Sequence, residues 1–385
     1  MNDLSRYTAN WNYPTAVKCG IGRVAELPAW CASLGMKRPL LVTDPGLAAL
    51  PMVRDAAASC GAQVFSRIKG NPTGQNVADG VAAYRAGQHD GVVAFGGGSA
   101  LDAGKAVALM VGQDRPLWDF EDVGDNHLRV KVEGMAPVVA VPTTAGTGSE
   151  VGRASVITDE AARLKRIIFH ARMLPAVVIL DAALTAGLPP KLTAATGMDA
   201  LSHNLEAYCS PVFHPLAAGI ALEGMRMVRE WLPRAVSHGD DLAARAEMLA
   251  ASAMGATAFQ RGLGAMHALA HPLGALYDAH HGTLNAILMP YVLQANRSAI
   301  EGRIEAAARY LKLPQPSFTS FLDWVLALRE EIGIAHTLAG VGIDGAQAER
   351  IAAMAVADPS QGTNPVAFST AQYREIFEAA VEGRL

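Results

Sequence analysis

Short apolar runs alternate with helical stretches in the first half of the chain, and this alternation stops near residue 188. The runs are about four residues long, rich in β-branched residues and bounded by Gly, Pro or Asp: residues 40–43, 92–95, 138–141 and 177–180. Helical spacing appears between them at residues 77–86 and 101–110. The order strand, helix, strand predicts a parallel sheet covered by helices.

A hairpin is predicted at the end of the first half, and helices alone are predicted after it. Residues 154–158 and 166–169 flank a polar turn region, which favours two antiparallel strands. After Leu188 and two prolines, the chain is rich in Ala, Leu and Met at helical spacing, as in residues 241–259, 304–311, 321–332 and 346–357. We expect an α/β domain over residues 1–187 and an all-helical domain over residues 188–385.

Length, charge and cysteine content exclude several classes of protein. A chain of 385 residues exceeds one ordinary core, so two domains are expected. A net charge of −4 offers no basic surface to nucleic acid or an anionic membrane, and no run approaches the roughly 18 apolar residues that span a bilayer. The 4 cysteines have no C-x-x-C spacing and the first residues contain no apolar signal region, so we expect a cytoplasmic protein.

Two loops that follow predicted strands have the composition of nucleotide-binding loops. Gly96-Gly97-Gly98-Ser99 leads into a helix, whose free N–H groups and partial positive charge suit a pyrophosphate. Leu101 replaces the third glycine of a G-x-G-x-x-G motif, and a tight turn also explains the glycines. The loop at residues 142–150 is rich in hydroxyl groups, which suits ribose or adenine but equally a polar surface loop.

Asp44 stands at the end of the first predicted strand. A carboxylate in this position can accept a hydrogen bond from a ribose 2′-OH and repel a 2′-phosphate. The sequence Asp44-Pro45 is also a common start of a turn, which is the alternative explanation.

One aspartate and several histidines in the second half have spacings that a metal ion can use. Asp199 and His203 are four residues apart, and so are His267 and His271. Four residues is about one helical turn, so each pair projects from one face of a helix. A single pair of this kind is typical of satisfied core histidines, but two pairs followed by His281 favour a metal site. Nitrogen and oxygen ligands suit Fe(II) or Zn(II).

Taken together, these segments resemble the iron-containing (group III) alcohol dehydrogenases over essentially the whole chain. They follow one another at the family's spacing: residues 96–99 with Asp102 and Lys105, then residues 142–150, 195–200, 267–274 and 281–288. The resemblance implies a Rossmann-like parallel-sheet dinucleotide domain followed by an all-helical metal-binding domain, with the active site in the cleft between them.

The resemblance also implies roles for individual residues. It assigns the metal, usually Fe(II), to four residues: Asp199, His203, His267 and His281. His271 would lie just outside this shell, near the nicotinamide, as a polar or proton-handling group. The cofactor NAD would be met by Asp44, Asn71, Gly97, Gly98, Ser99, Thr143, Thr144, Thr147 and Lys165. An acid at the position of Asp44 is typical of family members that prefer NAD.

One segment departs from the pattern of many family members. The stretch from Phe259 to Gly264 is one residue shorter and, with Thr363-Asn364-Pro365, looks most like the 4-hydroxybutyrate dehydrogenase branch. It places Arg261 close to the substrate side of the metal, where a guanidinium can clamp a carboxylate. A surface arginine that caps the helix ended by Gly262 explains Arg261 as well. If Arg261 faces the metal, we expect an ω-hydroxy acid as substrate, and otherwise a short neutral alcohol or diol.

We therefore expect an iron-dependent NAD(H) oxidoreductase that interconverts a short-chain primary alcohol and its aldehyde, as a homodimer or larger homo-oligomer. A zinc enzyme similar to glycerol dehydrogenase is an alternative, because ligand type separates iron from zinc poorly. A lyase similar to dehydroquinate synthase would need cations around a phosphate, and Lys191 is the single lysine of residues 190–290. A non-catalytic nucleotide-binding module would leave the Asp/His set unexplained.

Overall fold

A computed structural model describes residues 9–11 and 15–385, which form two compact units. The first unit comprises residues up to Thr144 together with Gly148–Gly187. The second comprises Leu188–Leu385 together with the short segment Ala145–Thr147, which comes from the middle of the threonine-rich loop.

The first unit is built on a seven-stranded sheet in the order β1-β2-β9-β6-β5-β3-β4. Its strands are β1 (Ala9–Trp11), β2 (Ala16–Cys19), β3 (Leu40–Val42), β4 (Gln63–Phe65), β5 (Val92–Gly96), β6 (Val138–Pro142) and β9 (Val177–Leu180). All neighbouring strands are parallel except β1 and β2. The central strands β3, β5, β6 and β9 are completely buried, which explains why they are continuous apolar runs.

Among the described residues of the first unit, five α-helices and a separate hairpin accompany the sheet. The helices are α1 (Leu27–Ser33), α2 (Pro45–Ala48), α3 (Pro51–Cys60), α4 (Gly74–Ala86) and α5 (Gly98–Met110). The predicted hairpin is confirmed as antiparallel β7 (Ala154–Asp159) and β8 (Leu164–Phe169). Close packing of α5 on the sheet depends on Gly104, because an added Cβ would lie 2.7 Å from the Cβ of Ala94 in β5. Gly104 thus permits the close helix–strand contact that the third glycine of a G-x-G-x-x-G motif, replaced here by Leu101, would otherwise permit.

The second unit consists of helices, as the sequence predicts. They are α6 (Pro190–Cys209), α7 (Pro215–Ser237), α8 (Leu242–Ala258), α9 (Ala265–Tyr277), α10 (His281–Tyr310), α11 (Phe318–Glu331), α12 (Ala348–Ala357) and α13 (Thr370–Glu382). The predicted helix at residues 304–311 is the end of the 30-residue α10. Among the described residues, no helix is both long and apolar enough to cross a membrane.

Helix α6 lies in the core of the second unit and explains much of its architecture. Of its 20 residues, 15 are buried, and the largest apolar cluster of the unit includes its Met198, Leu201 and Leu205. Gly197 lets α7 approach closely, because an added Cβ would lie 2.1 Å from Leu232 Cδ1. A helix fixed on so many sides can hold polar side chains in defined positions.

Candidate metal centre and cofactor-binding loops

Three polar side chains project from one face of α6 on successive turns. Asp199, His203 and Glu206 are four and then three residues apart, so they share a face of the helix. All three are buried, with exposed fractions of 2%, 4% and 5%. Buried polar groups need partners: α9 and α10 supply those of Glu206 and Asp199, and the carbonyl group of Gly146 supplies that of His203.

Helix α9 contributes His267 and His271, and α10 begins with His281. The start of α10 can approach α6 because residue 282 is glycine, since an added Cβ would lie 2.3 Å from the carbonyl oxygen of Ala195. This close approach brings His281 Nε2 within 3.7 Å of Asp199 Oδ1.

The four residues expected to bind a metal lie together. Asp199, His203, His267 and His281 each offer one ligand atom, and these atoms all lie within 4.8 Å of one another. The rings of His203 and His267 are stacked with their centroids 4.8 Å apart. Three imidazoles and one carboxylate form a set that fits a divalent first-row cation and leaves coordination positions for a substrate oxygen.

Hydrogen bonds to the outer ring nitrogens fix the orientation of two of these histidines. His267 Nδ1 donates to Glu206 Oε2 at 2.6 Å, and His203 Nδ1 donates to the carbonyl oxygen of Gly146 at 3.2 Å. Because both partners are acceptors, each Nδ1 carries the proton and each Nε2 keeps its lone pair for the cation. Glu206 also accepts the N–H groups of Gly264 and Met266 at the start of α9, at 2.9 and 2.7 Å.

The pKa values of these two histidines shift in opposite directions, although burial lowers both. Burial lowers the pKa of His203 to about 4, so its imidazole is neutral near pH 7, as a metal ligand must be. Burial also opposes the charged form of His267, but the hydrogen bond and charge of Glu206, together with the charges of Asp199 and Asp358, outweigh it and raise the pKa of His267 above its ordinary value. A cation at His267 therefore competes with a proton.

His271 lies beside the four residues. Its Nδ1 donates to Asp358 Oδ2 at 2.8 Å, and its ring stacks on that of His281 with centroids 5.6 Å apart and planes 12° apart. Asp358 also accepts the N–H of Ser360 at 2.8 Å. Burial tends to raise the pKa of Asp358, but the interaction with His271 and the hydrogen bonds of Ser360 together bring it below its ordinary value.

Arg261 is buried and held by backbone carbonyl groups. Its Nε donates to Val212 at 2.6 Å and its Nη1 to Tyr208 at 3.1 Å. Arg303 donates to the carbonyl oxygens of Tyr208 and Ser210 at 2.8 and 3.0 Å. The alternative of a surface arginine that caps the helix ended by Gly262 is therefore wrong, because Arg261 is 5% exposed and neutralises carbonyl groups at the end of α6 and just after it.

The expected pyrophosphate loop has the required shape. Gly96 adopts φ 147°, α5 begins at Gly98, and the N-cap residue Gly97 has no side chain that could cap the helix start. The uncapped N–H groups are suited to an anion. Ser99 Oγ donates to the carbonyl oxygen of Gly70, and an added Cβ on Gly97 would be 3.4 Å from Thr144.

The other expected cofactor residues belong to the first unit, with the exception of Thr147. Thr143 follows β6 and donates its N–H to Gly96 at 2.9 Å. Lys165 Nζ donates to Asn71 Oδ1 at 2.9 Å, which links β8 to the loop before α4. Asp44 Oδ1 accepts the N–H of Leu47 at 3.0 Å, so this residue caps α2, as the alternative explanation required.

A buried ionic cluster ties α5 to the end of the threonine-rich loop. Lys105 Nζ donates to the carbonyl oxygens of Ser149, at 2.8 Å, and Ala154, and lies 3.4 Å from Asp102. Ser149 Oγ donates to Asp102 Oδ1 at 2.5 Å. Burial raises the pKa of the neighbouring Glu150 to about 7, although Lys105 partly offsets it.

Sequence reasoning missed three residues that support the histidines: Glu206, Asn285 and Asp358. Glu206 continues the helical spacing of Asp199 and His203, and Asn285 follows His281 by four residues, so both had a local signal. Asp358 is 87 residues from His271, and no local pattern connects them.

Comparisons with known proteins agree with this architecture. Residues 14–182 match the family model for iron-containing alcohol dehydrogenases, and residues 193–381 match the C-terminal model of the same family. A 4-hydroxybutyrate dehydrogenase of Cupriavidus necator is 37% identical over 382 residues, covering 96% of this chain and 99% of the relative. A 1,3-propanediol dehydrogenase of Citrobacter freundii is 35% identical, covering 91% and 93%.

Solved structures show the same similarity. The crystal structure of a 1,3-propanediol oxidoreductase is 34% identical, with a TM-score of 0.89 over 94% of this chain and 96% of that one. A sulfoacetaldehyde reductase from Bifidobacterium kashiwanohense in complex with NAD+ is 27% identical, with a TM-score of 0.86 over 97% and 98%. The matches to both family models, over most of the chain, show that this protein belongs to the iron-containing alcohol dehydrogenases.

Proposed function

We propose that this NAD(H)-dependent alcohol oxidoreductase interconverts a short-chain primary alcohol and its aldehyde at Asp199, His203, His267 and His281. The observation that carries the proposal is the convergence of their four ligand atoms within 4.8 Å. A bound divalent cation there supplies Lewis-acid polarisation of the alcohol or carbonyl oxygen, and the nicotinamide supplies the hydride acceptor or donor.

The protein's own residues orient the reaction. Glu206 and the carbonyl group of Gly146 keep the lone pairs of His267 and His203 available. Asp358 holds His271 by its Nδ1, which leaves Nε2 of His271 to exchange the proton of the substrate hydroxyl with solvent. The uncapped start of α5 binds the pyrophosphate of NAD, and Asp44 disfavours a 2′-phosphate.

Anaerobic metal analysis combined with NADH oxidation assays tests this function. Protein loaded with Fe(II) or Zn(II) is assayed with a panel of short aldehydes and semialdehydes. We expect about one cation per chain and turnover that disappears in Asp199→Ala. Turnover that persists in metal-free protein would refute the proposal.

A second candidate substrate class is the ω-hydroxy acids, such as 4-hydroxybutyrate. The similarity to the Cupriavidus necator enzyme favours it, while the backbone contacts of Arg261 give no support to an anion clamp. Kinetics of Arg261→Ala with 4-hydroxybutyrate and 1-butanol separate the alternatives. Arg303→Ala is a matched control, because Arg303 donates to carbonyl groups of the same loop.

The expected result is that Arg261→Ala and Arg303→Ala each lower kcat/KM similarly for both substrates, since both arginines then act by holding the loop. A loss for 4-hydroxybutyrate at least tenfold larger than for 1-butanol, confined to Arg261→Ala, would establish the clamp.

A further inference from the structure

Asn285 lies against the ligand set. It lies on α10, one turn after His281, and its side chain is completely buried. Its Nδ2 lies 2.8 Å from Asp199 Oδ1, 3.2 Å from His267 Nε2 and 3.2 Å from His281 Nε2. One amide nitrogen thus contacts three of the four side chains that converge on the candidate metal centre.

The contacts of Asn285 have a specific electrostatic consequence. Asp199 Oδ1 is a negatively charged acceptor, and the Nε2 atoms of His267 and His281 are acceptors when each ring is neutral and carries its proton on Nδ1. Acceptors gathered in a buried place repel one another unless donors lie between them. An amide NH2 group supplies two donors without adding charge.

Other buried asparagines of the second unit have different partners. Asn204 Nδ2 donates to the backbone carbonyl groups of Ala200 and Ala251. Asn296, also on α10, exchanges side-chain hydrogen bonds with Asn364. Burial of an asparagine in this helical unit is therefore compatible with a purely structural role, and contact with the histidine Nε2 atoms is what distinguishes Asn285.

We propose that Asn285 is a positioning residue of the metal centre, whose amide nitrogen keeps Asp199, His267 and His281 converged in the metal-free protein. A cation then meets a preformed ligand set and does not have to gather separate side chains. This inference rests on the proposed metal-dependent function, and it concerns affinity for the cation, not the chemical step.

Metal affinity of the full-length protein tests the inference. Zn2+ is titrated into metal-free protein in competition with a chromophoric chelator, and thermal unfolding is followed with and without Zn2+. Asn285→Leu removes the amide and keeps a similar volume, while Asn285→Ala removes the amide without adding any atom and covers the case in which leucine prevents folding. Asn296→Leu is the matched control, because it removes a buried amide from the same helix.

We expect both Asn285 variants to bind Zn2+ about 10- to 100-fold more weakly, the usual cost of losing a side chain that orients metal ligands. Asn296→Leu should lower the unfolding temperature and leave the affinity unchanged. A folded Asn285 variant with wild-type affinity would overturn the inference. If Asp199→Ala binds Zn2+ as tightly as wild type, the metal centre itself is wrong, and with it the proposed function.

Discussion

Glu206 offers a quantitative test of how the metal centre is supported. Its carboxylate accepts three donors: Gly264 N–H and His267 Nδ1 on Oε2, and Met266 N–H on Oε1. The same group therefore caps the start of α9 and orients a metal ligand. Replacing it by the amide of Glu206→Gln keeps the shape and changes one acceptor atom into a donor.

The magnitude follows from these contacts. The amide oxygen can take the place of Oε2 and keep two donors, but its NH2 group then faces the N–H of Met266. A buried donor without an acceptor costs roughly 1–3 kcal/mol, and exchanging charged for neutral hydrogen bonds costs about 1 kcal/mol more. We expect Glu206→Gln to lose about 3 kcal/mol of unfolding free energy and roughly tenfold or more in metal affinity, because His267 is held less firmly.

Urea unfolding of the metal-free protein and Zn2+ titration measure the two effects. Glu230→Gln is a suitable control, because Glu230 is exposed and pairs only with Arg226 in the contacts described, so its loss should cost under about 1 kcal/mol. If Glu206→Gln unfolds at the wild-type urea concentration and binds Zn2+ equally well, the carboxylate does not have this double role.

Three further predictions concern the packing of α10, the ionic cluster and the cofactor. Gly282→Ala should lower the unfolding free energy by about 1–3 kcal/mol and weaken metal binding, because the new methyl group clashes with the carbonyl oxygen of Ala195. Gly302→Ala is the control on the same helix: it has open space around it and should raise the unfolding free energy by up to about 1 kcal/mol. Equal effects of the two variants on unfolding would contradict this prediction. Burial raises the pKa of Glu150 from 4.5 to about 7, so the folded state holds the proton more tightly than the unfolded state and stability falls as the pH rises from about 4.5 to 7. Glu150→Gln should remove this loss of about 3 kcal/mol. Urea unfolding at pH 5 and pH 8 should therefore show that the stability of the variant relative to wild type is greater at pH 8. Asp44→Gly should increase kcat/KM for NADP relative to kcat/KM for NAD by about tenfold, because the variant lacks the carboxylate that repels the 2′-phosphate. An unchanged ratio would mean that Asp44 serves only to cap α2.

Local patterns predict the buried strands well and the edge of the sheet poorly. The runs that form β3, β5, β6 and β9 are apolar because both faces of each strand are covered. β4 has three residues, of which only Phe65 is buried, so its sequence carries no comparable signal. Helix boundaries are less certain from spacing alone, as the early start of α4 at Gly74 shows.

The metal centre was predictable to different degrees. Spacing alone indicates that Asp199 and His203 share a face of α6. It cannot show that α6, α9 and α10 converge, because this depends on contacts between distant helices; the number of pairs favoured a metal site, and the resemblance to a family indicated which four residues form it. The position of Arg261 depends on the carbonyl groups of Tyr208 and Val212, which no local pattern relates to it.

The three side chains that α6 presents on successive turns constrain how the chain can change in length. One residue inserted between Asp199 and Glu206 would rotate the downstream part of the helix by about 100° relative to the upstream part. Glu206, whose carboxylate orients His267, would then no longer lie on the same face of α6 as Asp199. This part of α6 must therefore keep its number of residues.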